Sequence, residues 1–150
     1  KVTAMKIKTR DFGEISVSPD AIIRFKLPIY GFEQYTDFTL ISDPNIGGSI
    51  VWLQSVQDPD LCFILVDPKL VSEEYSPKLS DDMEKLLRSK GINETEIWVI
   101  AVIPQEFRKS TVNLKSPIMI DMSSKSAAQI ILDEDYPIRA PLLPAGKGRD

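Results

Sequence analysis

The feature that most constrains the fold is a series of short apolar segments, each ended by proline, glycine or aspartate. The two clearest lie at residues 49–56, SIVWLQSV, and at residues 61–67, LCFILVD. Both are rich in β-branched and aromatic residues, which favour strands. The QDPD between them is typical of a turn, because aspartate caps the local backbone while proline presets the next φ angle. The sequence therefore predicts a hairpin at this point.

Similar segments occur along most of the chain. An alternating pattern over residues 5–25, broken at Gly13, predicts a hairpin followed by a third short strand. Further strand-like segments lie at residues 37–42, 96–103, 110–114, 117–122 and 127–133. About nine short strands with no alternating helices argue against a parallel doubly wound sheet. We therefore expect a mainly β protein, a small antiparallel β-barrel-like or sandwich domain.

One segment predicts a short helix near residues 81–90. Ser80 is a suitable N-cap, since its hydroxyl can accept a bond from an unpaired backbone N–H. Asp81 and Asp82 follow at the positive end of the helix dipole, and Gly91 provides the end. The residues that share an apolar face at i, i+3 and i+4 spacing are Met83, Leu86 and Leu87.

Length and composition predict a single domain. The chain has 150 residues, of which 43% are hydrophobic, enough for one core. We expect one domain over residues 1–142 and a flexible tail at 143–150. The position of Met5 suggests that residues 1–4 precede the native start. A single cysteine and the lack of any apolar run near the ~20 residues of a membrane span favour a cytoplasmic protein without membrane contact.

The formal net charge of −4 argues against direct nucleic-acid binding, because such proteins neutralise phosphates with lysine and arginine. The acids are concentrated in residues 73–96. A single-strand nucleic-acid binder of the small-barrel type is a competing interpretation, but it would need aromatic side chains on a basic groove. The acidic segment is better suited to attract a basic protein partner.

Catalytic side chains are scarce. The chain has no histidine, which removes Ser-His-Asp and Cys-His systems. Cys62 lies in an apolar run with no adjacent lysine or arginine, which is typical of a buried, unreactive thiol. Asp58 and Asp60 leave open a carboxylate-pair hydrolase, although an Asp-Pro turn is the favoured explanation of Asp58. No segment has metal-ligand or phosphate-loop spacing, so we expect no metal and no cofactor.

Five segments stand in a characteristic order: MKIKTRDFGEI from Met5, GFE at 31–33, WLQSVQDPDLCFILVDP at 52–68, NLKSPIMID at 113–121 and YPIRAPL at 136–142. Together they resemble the flagellar assembly factor FliW family over about residues 5 to 142. One departure precedes GFE: Pro28, Ile29 and Tyr30 stand where the family usually has glycine, an apolar residue and proline.

The resemblance implies a non-enzymatic cytoplasmic protein of flagellated bacteria with a small antiparallel β-barrel fold. Such a protein binds flagellin before export, as a chaperone does. Alternatively, it binds the RNA-binding translational repressor CsrA and so relieves the repression of flagellin synthesis. We expect it to act as a monomer.

Candidate contact residues follow from charge and from membership of these motifs. The acids that could meet CsrA are Glu73, Glu74, Asp133, Glu134 and Asp135. The motif residues that could meet flagellin are Gln54, Asn113, Tyr136 and Arg139, and Asp58 is a further candidate for partner contact.

Overall fold

The computed structural model describes residues 3–87 and 95–143. Within them the strands are β1 (Met5–Lys8), β2 (Glu14–Val17), β3 (Ile23–Leu27), β4 (Asp37–Asp43), β5 (Gly47–Ser55), β6 (Cys62–Val66), β7 (Thr95–Val102), β8 (Thr111–Val112), β9 (Ile118–Asp121), β10 (Ser126–Gln129) and β11 (Ala140–Pro141). The helix α1 (Asp81–Leu87) lies between β6 and β7, and short 3-10 turns are formed by Pro19–Ala21, Pro68–Leu70 and Phe107–Lys109.

Seven of these strands form a closed barrel in the order β7, β6, β5, β4, β3, β10, β9 and back to β7. Neighbouring strands are antiparallel except β3 and β10, which are parallel. Closure pairs both edges of each of these strands, so the barrel offers no free edge for unwanted strand pairing. The mainly β, barrel-like fold expected from the sequence is confirmed.

The β5–β6 hairpin forms where the sequence predicts it. Its register pairs Ile50 with Val66 and Gln54 with Cys62. The turn is closed by a hydrogen bond of 2.9 Å from the Ser55 N–H to the Leu61 carbonyl oxygen. QDPD is therefore a hairpin turn, as its Asp-Pro pair indicates.

The buried apolar side chains form two large clusters, and β9 contributes to both. Met119 belongs to the cluster that includes Leu87 and Tyr75. Ile118 and Ile120 belong to the other cluster. Successive side chains of a strand point to opposite faces, so this fully buried strand separates the two clusters and has no solvent-exposed face.

The β1–β2 hairpin forms a two-stranded sheet of its own. Its turn contains Gly13 at a φ of +67°, a conformation that favours glycine. Ile7 and Val17 from the hairpin pack with Ile22 in a third, smaller cluster. The hairpin is tied to the barrel by Arg10, whose guanidinium donates to the Cys62 carbonyl oxygen at 2.9 Å.

The helix begins as the sequence predicts, because the Ser80 hydroxyl accepts a hydrogen bond from the Met83 N–H at 3.2 Å. Leu87 on its apolar face is fully buried. The predicted helix end at Gly91 and most of the predicted tail at 143–150 lie outside the described residues. The strand predicted at 127–133 is shorter in the structure, where β10 ends at Gln129.

Candidate functional site

A groove lined by exposed apolar side chains lies on the described surface. It has a volume of about 810 Å³ and is lined by Tyr30, Val102, Ile131 and Ile138. These side chains are exposed to 80%, 63%, 64% and 62%, respectively. The four residues come from four separate parts of the chain, so the fold has gathered them. A concentration of exposed apolar surface of this kind is typical of an interaction site.

The loop before β4 forms one wall of the groove. Ile29 is buried and anchors this loop, and the Phe32 N–H donates to the Ile29 carbonyl oxygen at 2.8 Å, which closes a turn. Gly31 takes the third position of the turn with a φ of +90°, which strongly favours glycine. Tyr30 is therefore projected outward, into the lining of the groove.

The backbone of Tyr30 is held by Gln129, another residue that lines the groove. Its N–H donates to Gln129 Oε1 at 2.7 Å, and Gln129 Nε2 donates to the Ser116 carbonyl oxygen at 3.1 Å. The floor consists of Phe32, Phe63 and Ile100, half-buried residues that also pack against one of the core clusters. The groove is therefore formed in the unbound chain, without a partner to shape it.

The other walls come from two extended segments beyond the strands. Ile131 lies between Ile130 and Leu132, which are both buried, so the alternation of side chains turns Ile131 outward. Ile138 follows Pro137, whose carbonyl oxygen accepts a hydrogen bond of 3.1 Å from the Leu114 N–H. Both exposed isoleucines thus stand on backbone that is hydrogen-bonded or packed against the barrel.

The charged residues that line the groove are all cations, namely Lys109, Lys115 and Arg139. Lys109 Nζ lies 3.5 Å from Glu106 Oε1, and Lys115 Nζ donates to the Glu134 carbonyl oxygen at 2.9 Å. Arg139 is exposed and has no hydrogen bond or ion pair to any other residue within 3–87 and 95–143. The groove is therefore apolar with a positively charged rim.

The acids predicted to meet a partner belong to two segments that contact each other, and we call the surface of these segments the acidic edge: Glu73, Glu74, Asp133, Glu134 and Asp135. Two contacts bring their segments together. The Lys78 N–H donates to Glu134 Oε2 at 3.2 Å, and the rings of Tyr75 and Tyr136 meet edge to face with centroids 4.7 Å apart.

Tyr75 anchors the part of the acidic edge that carries Glu73 and Glu74. It is buried, and its hydroxyl donates to the Leu114 carbonyl oxygen at 2.7 Å. Burial, reinforced by the nearby Tyr136 and Glu134, raises the pKa of Tyr75, so the hydroxyl stays protonated as the donor of this bond. Glu73 and Glu74, which directly precede this anchor in the chain, are exposed.

The remaining predicted contact residues occupy different environments. Gln54 is fully buried in the β5–β6 hairpin. Asn113 lines the groove, where its Oδ1 accepts hydrogen bonds of 3.0 Å from the Lys115 and Ser116 N–H groups. Tyr136 is half-buried against Tyr75 in the acidic edge. The structure thus brings Asn113 and Arg139 together in the groove and places Gln54 away from the surface.

Sequence reasoning missed the apolar lining residues of the groove. The available signal was weak: Ile131 follows another isoleucine in a strand-like segment, so one of the two had to face outward. Ile138 stands between polar and proline residues near the end of the chain. Neither pattern predicts which other residues lie nearby, because the groove forms only when the barrel closes.

The residues proposed for acid chemistry have structural contacts in the β5–β6 turn. Asp58 Oδ1 accepts the Asp60 N–H at 2.9 Å, which is the capping contact expected of an Asp-Pro turn. Cys62 is buried, and desolvation raises its pKa to about 11 despite the opposing charge of Arg10. Its thiol is therefore protonated, and hence a poor nucleophile, at neutral pH.

Residues 3–87 and 95–143 contain no cluster of three or more histidine, cysteine, aspartate or glutamate side chains placed to hold a metal ion. Among these residues, no helix has the length and apolar character needed to cross a membrane.

The fold and surface define a class: a small, closed, mainly antiparallel β-barrel with a preformed apolar groove beside an acidic edge. A family model described as FliW protein matches residues 6–142. A crystal structure of the flagellar assembly factor FliW superposes with a TM-score of 0.85 and 30% sequence identity, over 93% of this chain and 98% of that chain.

Curated relatives agree with this match. The flagellar assembly factor FliW of Thermoanaerobacter pseudethanolicus is 37% identical over 140 residues, 93% of each chain. That of Lachnospira eligens is 36% identical over 144 residues, covering 92% of this chain and 94% of the relative. The chain belongs to the FliW family of flagellar assembly factors.

Proposed function

We propose that this chain is a non-enzymatic, monomeric cytoplasmic protein that binds flagellin and, alternatively, CsrA. While it holds CsrA, the repressor is kept from flagellin messenger RNA and flagellin synthesis proceeds. When flagellin occupies the chain, CsrA is released. Membership of the FliW family supports the role in flagellar assembly.

The observation that carries the proposal is a pair of adjacent surfaces of different charge: five acids on one, partly offset by Lys69 and Lys78, and only cations among the charged residues of the other. The acidic edge and the cation-rimmed groove are both built partly from residues 133–139, which supply Asp133, Glu134 and Asp135 to one and Ile138 and Arg139 to the other. Two partners with different surface chemistry can therefore bind to different surfaces, one to the acidic edge and the other to the groove. Because the sites adjoin, a bulky partner on one surface would cover part of the other.

The acidic edge suits CsrA on electrostatic grounds. A protein that binds RNA carries basic surface to neutralise phosphates. Exposed carboxylates gathered on one side of a partner attract such a surface and accelerate association. An acidic surface that covers CsrA would also repel the phosphates of a competing messenger RNA.

The proposal is tested by isothermal titration calorimetry of this chain with purified flagellin and, separately, with purified CsrA. We expect each protein to bind. A mixture of all three, run by size-exclusion chromatography, should contain only binary complexes. Absence of heat with both partners would refute the proposal, and a stable ternary complex would refute the alternative occupancy.

A further inference from the structure

We propose that the groove is the flagellin-binding site and that it receives a segment of flagellin in which apolar side chains lie beside carboxylates. The inference rests on the proposed function and assigns its two partners to different surfaces. The groove is the part of the described surface where four large apolar side chains, each more than 60% exposed, line one cavity.

The apolar character of the groove requires a protein partner with apolar side chains of its own. Exposed apolar area gains free energy when it is removed from water. The walls are already held by the Tyr30 to Gln129 hydrogen bond and by buried Ile29, Ile130 and Leu132. A preformed site loses little conformational entropy on binding, which favours affinity.

The charge of the rim selects between the two partners. Lys109, Lys115 and Arg139 line the groove and no acidic residue does. The exposed guanidinium of Arg139 is available to form a two-pronged hydrogen bond with a carboxylate. CsrA, which must present basic surface to RNA, would be repelled here and attracted to the acidic edge. Flagellin is therefore the partner assigned to the groove.

Lys115 links the two surfaces. Its side chain lines the groove, while its Nζ donates to the backbone oxygen of Glu134 in the acidic edge. Residues 133–139 continue directly from the acidic edge to the groove. Flagellin in the groove would therefore lie against residues 133–139, which also form part of the acidic edge. Binding of one partner would then sterically hinder binding of the other.

The first test replaces an apolar wall residue by a carboxylate. Ile131→Asp removes apolar contact and adds a charge that repels the acidic segment. We expect the affinity for purified flagellin, measured by calorimetry, to fall about tenfold or more, as for a central interface residue. Affinity for CsrA should not fall, because the added carboxylate does not repel a basic partner. The matched control is Ile46→Asp, because Ile46 is 49% exposed and lies outside the groove.

The second test reverses the charge of the rim. Arg139→Glu should weaken flagellin binding, whereas Arg139→Lys should retain part of it. The loss of affinity as salt is raised should be steeper for the wild-type and lysine proteins than for the glutamate protein. Flagellin binding that is unchanged in both Ile131→Asp and Arg139→Glu would overturn the inference. Equal weakening of flagellin and CsrA by Ile131→Asp would also overturn it, because it would mean a shared site.

These outcomes separate the groove assignment from the proposed function. If the wild-type chain binds neither protein, the proposed function fails. If the wild-type chain binds both proteins and the groove variants have the same affinity for flagellin as Ile46→Asp, the proposed function stands and the groove assignment fails.

Discussion

At the scale of single residues, Gln54 shows how one buried amide can connect two parts of the molecule. Its Oε1 accepts the Arg10 N–H at 3.0 Å, from the loop of the β1–β2 hairpin. Its Nε2 lies 3.1–3.4 Å from backbone carbonyl oxygens of the β5–β6 turn, those of Ser55, Asp58, Pro59 and Leu61. Its motif membership therefore has a structural explanation, and direct contact with flagellin stays a prediction.

The structural role of Gln54 can be measured. Gln54→Leu keeps the approximate shape but leaves buried carbonyl oxygens and the Arg10 N–H unpaired. We expect the free energy of unfolding in urea to fall by about 1–3 kcal/mol, the cost of unsatisfied buried polar groups. Gln34→Leu is the control, because Gln34 is exposed. Equal stability of the two variants would show that the hydrogen bonds of Gln54 do not support the fold.

Residue roles that depend on near neighbours could be predicted from the sequence. Asp58 caps its own turn, and Cys62 is buried in the apolar run that surrounds it. The contact of Gln54 with Arg10 could not be predicted, because Arg10 lies 44 positions away in the chain. Their contact depends on where the β1–β2 hairpin packs, which no local pattern specifies.

At the scale of elements, the acidic edge is formed by two segments that lack regular strand or helix structure and are held by Tyr75. The Tyr75 to Leu114 hydrogen bond and the Tyr75–Tyr136 ring contact fix these segments on the barrel. Glu73 and Glu74 are therefore presented from a defined position. The sequence shows only that these residues are acidic. In the structure, packing brings the two segments that carry them into contact.

The acidic edge gives a prediction for CsrA. The double variant Glu73→Lys and Glu74→Lys should bind CsrA more weakly at low salt, because like charges then face each other. The control double variant is Glu14→Lys and Asp60→Lys, which changes the net charge equally at exposed sites elsewhere. Unchanged affinity of the Glu73/Glu74 variant in calorimetry at low salt would contradict this role.

Most strands were predictable because their alternation and turn residues are local signals. The closure of the barrel was not. It depends on two pairings, the antiparallel pairing of β7 with β9 and the parallel pairing of β3 with β10. The paired residues of β3 and β10 lie about a hundred positions apart in the chain. The parallel pairing is also an exception to the antiparallel expectation, and nothing in either strand's own sequence specifies its direction.

At the scale of the whole molecule, the net charge conceals two opposite surfaces. A chain with a formal net charge of −4 carries a groove in which every charged lining residue is a cation. The apolar lining of this groove comes from positions as far apart as Tyr30 and Ile138. Composition could indicate a binder of basic proteins, but only the closed barrel shows that a second, apolar site adjoins the acidic one.

The most direct test of the regulatory role follows a fluorescent flagellin messenger RNA fragment bound to CsrA. Addition of this chain should lower the RNA-bound fraction, because CsrA is transferred to the chain, and subsequent addition of flagellin should restore it. Fluorescence anisotropy measures both steps. An RNA-bound fraction that stays constant while the chain is raised to concentrations that saturate CsrA would contradict the proposed function.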